Sequence, residues 1–466
     1  MTRSKILILI PDGVSLRNFV FSGFYEKAKV NGFEVVFLNN TAFDLSALGY
    51  QERSLGRRKL HWLTDSFKNA KKRVELNLYK KQFNDEVYEK YWFKLRNKTV
   101  KTTVKNLISK LLILFFNSEK GLLFLRKKIK ELESKTDYYK ESVKLIEKEK
   151  PDVVYCASQR SVLAIAPIEA AKSLGLPTVC FIYSWDNLPK SMLDVETHYY
   201  YVWSHHMKTE LLKYYPFVNK NQIVVTGTPQ FELHLEESFL LSKKEFYETY
   251  NLDTSKDYFC FSGDDVTTSP QDPLYLRDFA EAIRELNKKG QTLGVIFRRC
   301  PVDFSDRYDY VLEEYKELIV PIDPVWKVYG NAWDSKMPTK EDSVLLSNIA
   351  HHCVGVVNLG STMAFDFALH GNPCAYINYH YLNDGIAHEK GVHVYEFVHF
   401  RSMPQKTSVV WLNSPDEISS QVYEMLNVKS RSIVLSTMQW LNIVTEQPIA
   451  TTSDRILNAL AELIQK

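Results

Sequence analysis

Residues 356–379 read VVNLGSTMAFDFALHGNPCAYINY, and how this stretch is read decides the fold. Val354, Val356 and Val357 are β-branched residues of a short buried strand. Asn358-Leu359-Gly360 breaks the run, Ser361 and Thr362 are helix-capping types, and Met363–Leu369 has helical character. Gly371 stands where a helix ends, Pro373 reinforces the stop, and Cys374–Asn378 resumes as a second buried strand. A strand that enters a helix through Gly-Ser-Thr offers an anion free backbone N–H groups, the positive helix end and two hydroxyls. Asp366, one helical turn beyond Thr362, is placed to accept hydrogen bonds from a sugar's vicinal hydroxyls. The same residues also suit an ordinary βαβ unit whose caps only start a helix.

The amino-terminal end repeats the pattern. Lys5–Ile10 and Phe33–Leu38 are apolar strands of the kind found at the centre of parallel sheets, with a helix predicted over Phe19–Asn31. Ligands of such sheets sit beyond the carboxyl strand ends, which makes Asp12 and Gly13 site candidates. Asp12 serves equally as a turn former or helix cap. Asp152–Tyr155 and Thr178–Tyr183 continue the sheet, with a helix over Val162–Leu174 that Pro167 kinks or delays. Ser184-Trp185-Asp186-Asn187 follows. Trp185 offers a ring face to sugar C–H groups, while Asp186 and Asn187 take hydroxyls; the alternative is an Asx turn with Trp185 packed over the core. Tyr199–Trp203 is a short strand before His205 and His206, of which at most one can serve as base or phosphate ligand; both also suit structural or capping roles. Gln222–Val225 runs into Thr226-Gly227-Thr228-Pro229. There Gly227 lets the backbone turn sharply near a cleft and Pro229 sets the exit.

After a charged stretch, Tyr258–Ser262 restarts a sheet and ends at Gly263, with Asp264 and Asp265 beside it. Two acids repel phosphate unless they point away. A helix over Leu276–Lys289 and a strand over Gly294–Phe297 lead to Arg298 and Arg299. A guanidinium at a strand end suits a diphosphate; ion pairing with Asp303 or Asp306 is the alternative.

With 466 residues the chain is too long for one core, and two domains are expected. The first spans 1–235 with a helical insertion over about 41–150. The second spans 255–430, and helices over 431–466 cross back towards the first. Hydrophobic content of 45% and charged content of 25% are those of a globular protein, and a net charge of +3 is too small to argue for nucleic acid. The six cysteines form no CxxC pair and lie mostly in apolar runs, which points to buried thiols rather than zinc. The amino-terminal apolar run is too short for a signal peptide and no run reaches membrane-spanning length, so a cytoplasmic protein is expected. Any membrane contact is then peripheral. Within the insertion, Lys101–Lys130 surrounds clustered aliphatics and Phe with basic residues, including Lys110, Lys120 and Arg126. That suits an interfacial helix on an anionic membrane, or two packed helices with a solvated lysine face.

G-S-T-x-x-x-D-x-A-x-x-G-x-P over 360–373 resembles the donor-binding motif of GT-B glycosyltransferases. It is also similar to segments of CDP-glycerol glycerophosphotransferases and non-hydrolysing UDP-GlcNAc 2-epimerases. T-G-T-P-Q-F at 226–231 resembles the segment that closes the first domain of such proteins, and S-W-D-N-L at 184–188 a segment of enzymes of bacterial surface polysaccharide synthesis. Arg298-Arg299-Cys300-Pro301 is similar to an R-x-H-P turn, with Cys300 in place of His. The resemblance implies an α/β GT-B fold, two Rossmann-like doubly wound domains facing across a cleft. It implies a glycosyltransferase that moves a sugar from a nucleotide-sugar donor to a glycan or lipid-linked hydroxyl without a metal or cofactor. The donor residues implied are Gly263, Arg298, Arg299, Gly360, Ser361, Thr362 and Asp366, with Asp in place of the usual Glu at 366. Asp12 and Asp186 are candidates for the base, and Gly13, Trp185, Asn187, His205, Gly227 and Thr228 for the acceptor side. A nucleotide-sugar 2-epimerase and a non-enzymatic membrane-associated scaffold are the alternatives.

Overall fold

The computed structural model describes residues 4–465 apart from 57, 94, 304, 331–334, 383–386 and 428. The chain packs as two units, Met1–Pro229 together with Val444–Lys466, and Gln230–Ile443. Each is an α/β unit on a parallel sheet.

The first sheet contains β1 (Ser4–Ile10), β2 (Phe33–Asn39), β3 (Glu52–Arg53), β4 (Val153–Cys156), β5 (Thr178–Phe181), β6 (Tyr199–Val202) and β7 (Ile223–Val225). Its order is β3-β2-β1-β4-β5-β6-β7, parallel throughout. The order reverses between β1 and β4, where Ile6–Leu9 pair with Val153–Cys156. Ile6, Leu7, Ile8 and Ile10 have no exposed surface, as a central strand covered on both faces requires.

The second unit holds β8 (Asp257–Ser262), β9 (Leu293–Arg298), β10 (Ile319–Pro321), a ribbon of β11 (Lys327–Val328) and β12 (Lys336–Met337), β13 (Gly355–Asn358), β14 (Cys374–Ile377), a ribbon of β15 (Tyr379–Tyr381) and β16 (His388–Lys390), and β17 (Val410–Leu412). Its six-stranded sheet runs β10-β9-β8-β13-β14-β17, again parallel, and reverses between β8 and β13. Both sheets are therefore doubly wound, in the order 3-2-1-4-5-6 with a seventh strand added to the first, which places the reversal, the usual ligand crevice, at the ends of β1/β4 and β8/β13.

Several elements differ from the sequence expectation. The helix over Phe19–Asn31 is two helices, Gly13–Phe19 and Phe24–Val30. The Ser22 hydroxyl donates to Asn18 O at 2.6 Å and accepts from Phe24 N at 3.3 Å, so the first helix ends and the second starts there. Pro167 falls in the first turn of the Ile165–Ser173 helix, which delays its start rather than kinking it. β10 and β17 went unpredicted because three residues carry too little pattern.

The insertion contributes β3 at the sheet edge and the helices Thr64–Phe83, Val87–Lys90, Val100–Phe116, Glu119–Glu133 and Asp137–Glu149. Buried charges lock it down. Lys71 Nζ lies 2.6 Å from Asp194, and Arg126 reaches Glu75 and, at 2.8 Å, Glu196. Arg126 and Lys130 hold the Glu196 carboxyl down at about 2 despite its burial. Arg126 is thus a buried anchor, not one of the surface charges expected around residues 101–130. Among the described residues no helix is long and apolar enough to cross a membrane.

Candidate functional site

The second unit's site is built where β13 ends. Gly360 has φ +73°, a conformation that glycine adopts without cost. A Cβ there would meet Phe400 Cζ at 3.0 Å and Tyr395 Cε1 at 3.3 Å. Asn358, the last residue of the strand, uses its side-chain oxygen to accept from Ser361 N at 2.8 Å. Ser361 O accepts from the Tyr376 hydroxyl at 2.9 Å, and Ser361 Oγ accepts from Met363 N at 3.3 Å. These bonds fix the turn while Gly360, Ser361 and Thr362 stay half-buried rather than sealed. The amides of Gly360 and Thr362 and the Thr362 hydroxyl make no hydrogen bond to the described residues. The helix that follows, Met363–Leu369, is only seven residues long, so these three donors, rather than a long helix dipole, define the turn's affinity for an anion.

A cavity of about 530 Å³ opens in the same unit, lined by Tyr395, Phe400 and Trp411, by Lys390 and Lys406, and by Asn378 and Asn413. Asn378 and Asn413 directly follow β14 and β17, so the cavity lies at the carboxyl edge of the sheet. It shares a wall with the turn. Tyr395 and Phe400 touch Gly360, and Tyr395 stacks on Tyr376 at a centroid distance of 5.5 Å. Lys390 and Lys406 form no ion pair among the described residues, which leaves two cations at the rim of an aromatic pocket.

At the end of β8, Gly263 is packed close: a Cβ would lie 3.0 Å from the Tyr308 hydroxyl and 3.3 Å from Asp272 Oδ2. Asp272 Oδ2 accepts from Tyr308 at 2.7 Å and from Asp264 N at 3.0 Å. Burial and the neighbouring Asp272 push the Asp264 carboxyl up to about 7, and burial raises Asp272 too. Asp264 therefore carries less negative charge near neutrality than its sequence neighbourhood implied. Asp265 is held below the usual range despite partial burial, because Thr267 and Thr268 donate to it.

The arginines are engaged elsewhere. Arg298 is 5% exposed and sets Nη2 against both Asp342 oxygens at 2.9 and 3.0 Å. Asp342 also accepts from Val325 N and Trp326 Nε1. Arg299 Nε meets Asp323 at 3.0 Å and Nη1 meets Ser305 O at 3.1 Å. Neither pairs with Asp303, which takes Arg307 instead. In this arrangement both guanidinium groups are engaged by carboxylates, unlike the free guanidinium expected for a diphosphate, while Arg298 Nη1 is buried without a hydrogen-bond partner among the described residues.

Asp366 departs from expectation in the same way. It is 3% exposed, and its Oδ1 lies 3.0 Å from His234 Nε2. His234 Nδ1 lies 3.1 Å from His370 Nε2, and His370 Nδ1 lies 3.3 Å from His351 Nδ1. Burial and the His234 ring push His370 down to about 3. The helical spacing was read correctly, but the carboxylate closes an internal histidine chain instead of facing a ribose. No sequence signal links His234 to Asp366, because they are joined only by the fold.

In the first unit, Asp12 caps the Gly13–Phe19 helix, accepting from Ser15 N at 3.0 Å and Ser15 Oγ at 2.8 Å through Oδ1. Gly13 is the first residue of that helix. Asp186 Oδ1 accepts from Asn187 Nδ2 at 2.7 Å, and its other oxygen pairs with Lys190. Asn187 in turn accepts from Gln159 Nε2 at 2.9 Å, and Gln159 Oε1 accepts from Tyr183 N, so the β4 and β5 loops are tied together. Trp185 is 5% exposed and packs into the core, the second of the two readings given for it. His205 is highly exposed at the start of the His205–Tyr214 helix, 3.9 Å from Glu446. His206 is raised by the Glu210 carboxylate.

The Thr226–Pro229 turn is filled by its own unit. Gly227 has φ +84°, and a Cβ there would lie 2.7 Å from Arg455 Nη2 and 2.8 Å from Thr452 Oγ1. Arg455 Nε donates to Thr226 O at 2.8 Å, and Thr226 and Thr228 are fully buried. Thr226 and Gly227 thus seat the carboxy-terminal helix Thr452–Ile464, and Thr228 is buried beside them.

The two doubly wound sheets, with these turns at their carboxyl ends, give the chain the GT-B fold. Solved structures with this architecture align along nearly the whole chain. A UDP-GlcNAc 2-epimerase from Neisseria meningitidis bound to UDP-GlcNAc aligns with TM-score 0.55 at 11% identity, covering 98% of this chain and 100% of that one. The UDP-GlcNAc 2-epimerase from Methanocaldococcus jannaschii aligns with TM-score 0.53 at 14% identity over 98% and 99%. A glycosyltransferase from Rickettsia africae aligns with TM-score 0.52 at 11% identity over 100% and 98%. At these identities the likeness is one of fold. No protein-family model and no curated protein sequence matches the chain.

Proposed function

We propose that the chain is a glycosyltransferase that takes a sugar from a nucleotide-sugar donor and passes it to a hydroxyl of a glycan or lipid-linked acceptor. The observation that carries the reading is the set of three unpartnered donors at Gly360 and Thr362, beside an aromatic cavity with two lysines. In this reading the donor's diphosphate accepts hydrogen bonds from the two amides and the Thr362 hydroxyl. The base packs against Tyr395 or Trp411, and Lys390 and Lys406 balance the charge. The acceptor oxygen forms a bond to the anomeric carbon as the bond from that carbon to the diphosphate breaks. The acceptor proton passes to a carboxylate, for which Asp12 is the first choice because its Oδ2 makes no hydrogen bond among the described residues. The leaving diphosphate's charge falls on fixed N–H and O–H donors, so no metal ion is part of this reading.

A second reading, a nucleotide-sugar 2-epimerase, is favoured by Asp264. A carboxyl raised to about 7 beside Asp272 is suited to taking and returning one proton. The solved epimerases named above also share the fold.

The test is a panel of nucleotide sugars, beginning with UDP-GlcNAc, scored by thermal shift and then by turnover with and without acceptor. A donor at about a hundred times its Kd stabilises the native state by about 2.7 kcal/mol. Turnover that requires acceptor supports the transferase, and turnover without it supports the epimerase. A panel without any shift overturns both.

A further inference from the structure

The helix Val100–Phe116 is built inside out. Its buried residues are Asn106 and Ser109, while Val100, Val104, Leu107, Leu111, Leu114 and Phe115 are 47–83% exposed. Their spacing puts them along one side of a helix about 25 Å long. The polar side docks. Asn106 Nδ2 donates to Asn97 Oδ1 at 2.7 Å, and Ser66 Oγ donates to Lys105 O at 3.0 Å. The next helix extends the apolar surface through Leu123 and Phe124, 57% and 44% exposed, and Phe124 stacks on Phe116 at 4.6 Å. An exposed apolar face of this length needs an occupant.

The charges around it select that occupant. Val100–Phe116 contains no acid, and Lys101, Lys110 and Lys120 are exposed without an ion-pair partner among the described residues. Of the carboxyl groups close by, Asp65 pairs with Lys105 and Glu131 with Lys128, and Glu119 is one exposed acid, without an ion pair among the described residues, set among these lysines. A second copy of the same face would bring lysine against lysine. An anionic bilayer takes the leucines and phenylalanines into its acyl boundary and sets its headgroups against the lysines. Neither helix is long and apolar enough to cross, so the pair lies in the interface plane.

We propose that the Val100–Phe116 helix, with the start of Glu119–Glu133, docks the first unit on the surface of an anionic lipid bilayer. The proposal is independent of the reading of the donor turn. It is tested by floating the full-length chain with vesicles of phosphatidylcholine alone and of phosphatidylcholine mixed with phosphatidylglycerol. The chain should float with the mixed vesicles, and less so in high salt. Leu114→Ser with Phe115→Ser should weaken binding by about tenfold or more, with an unchanged melting curve because both side chains are exposed. Lys110→Glu with Lys120→Glu should weaken it by at least about fivefold per lysine. Equal binding to the mixed, anionic vesicles by the lysine variant and the wild type would overturn the proposal. So would failure to float with either vesicle, or a wild-type dimer in the ultracentrifuge that the Leu114/Phe115 variant dissociates.

Discussion

Two glycine turns follow strands in this molecule, and their surroundings make them opposites. Gly227 and Gly360 have nearly the same backbone, φ +84° and +73°; Thr228 follows the first, and Ser361 and Thr362 follow the second. The first is occupied: Arg455 and Thr452 fill the space over Gly227, and Arg455 donates to the carbonyl before it. The second is held from behind by Asn358 and Tyr376 but keeps its donors at Gly360 and Thr362 unspent. The lesson is that a motif defines a backbone shape, and the residues packed against that shape decide whether it supports the fold or remains open to a ligand.

The comparison can be broken most strongly at Gly227. Gly227→Val combines a left-handed backbone with a Cβ pressed on Arg455, and should cost about 3 kcal/mol in urea unfolding. Its nucleotide-sugar affinity should not change; a loss of affinity with little loss of stability would reverse the roles assigned to the two turns. The paired experiment is Ser361→Ala with Thr362→Val. It should weaken nucleotide-sugar binding in calorimetry by about a hundredfold, close to 2.7 kcal/mol, while leaving the melting temperature nearly unchanged. Unaltered affinity would remove the turn from the site.

A smaller effect is expected from pH. The folded-state Asp264 carboxyl is raised to about 7 from an ordinary 3.8, so its protonation favours the native form. That contribution is complete below about pH 4 and is lost as pH rises through 7, with a slope of at most one proton, about 1.4 kcal/mol per pH unit. Asp264→Asn should flatten this part of the stability profile; an unchanged slope would assign the proton to another group. The smallest effect is expected from Gly360→Ala, about 1 kcal/mol of stability. Its methyl group pushes the Phe400 ring towards the cavity, so affinity should fall more than stability does. An alanine here without effect on binding would separate the turn from the cavity.

Most of the second sheet was legible because its strands are continuous apolar runs bounded by Gly, Pro and capping residues, and the Met363–Leu369 helix was read to the residue. The site was less legible, for physical reasons that differ by residue. Arg298 and Asp366 have the right types at the right spacing, yet their partners Asp342 and His234 come from distant stretches of chain. No local pattern records such pairings. The aromatic cavity beside Gly360 draws Tyr395, Phe400 and Trp411 from irregular segments and a three-residue strand, where periodicity is silent. Asn358 could have been read: a polar residue closing an apolar strand three positions before Ser361 has few other uses. The insertion divides by helix: Val100–Phe116 turns its apolar side outward, as one of the two readings of Lys101–Lys130 allowed, whereas Glu119–Glu133 buries Leu125, Ile129 and Leu132.

The first unit takes its last helix from residues 444–466, which follow the whole of the second unit in the sequence. During synthesis the ribosome must therefore release residues 230–443 before the Thr226 carbonyl can meet Arg455. At about 5–20 residues per second that is a wait of roughly 10–40 s. Over that interval the later unit can be finished while the earlier one still lacks its last helix. A nonsense mutation near codon 444 would spare the second unit and cripple the first, so carboxy-terminal tags and trims on this chain act on its amino-terminal half.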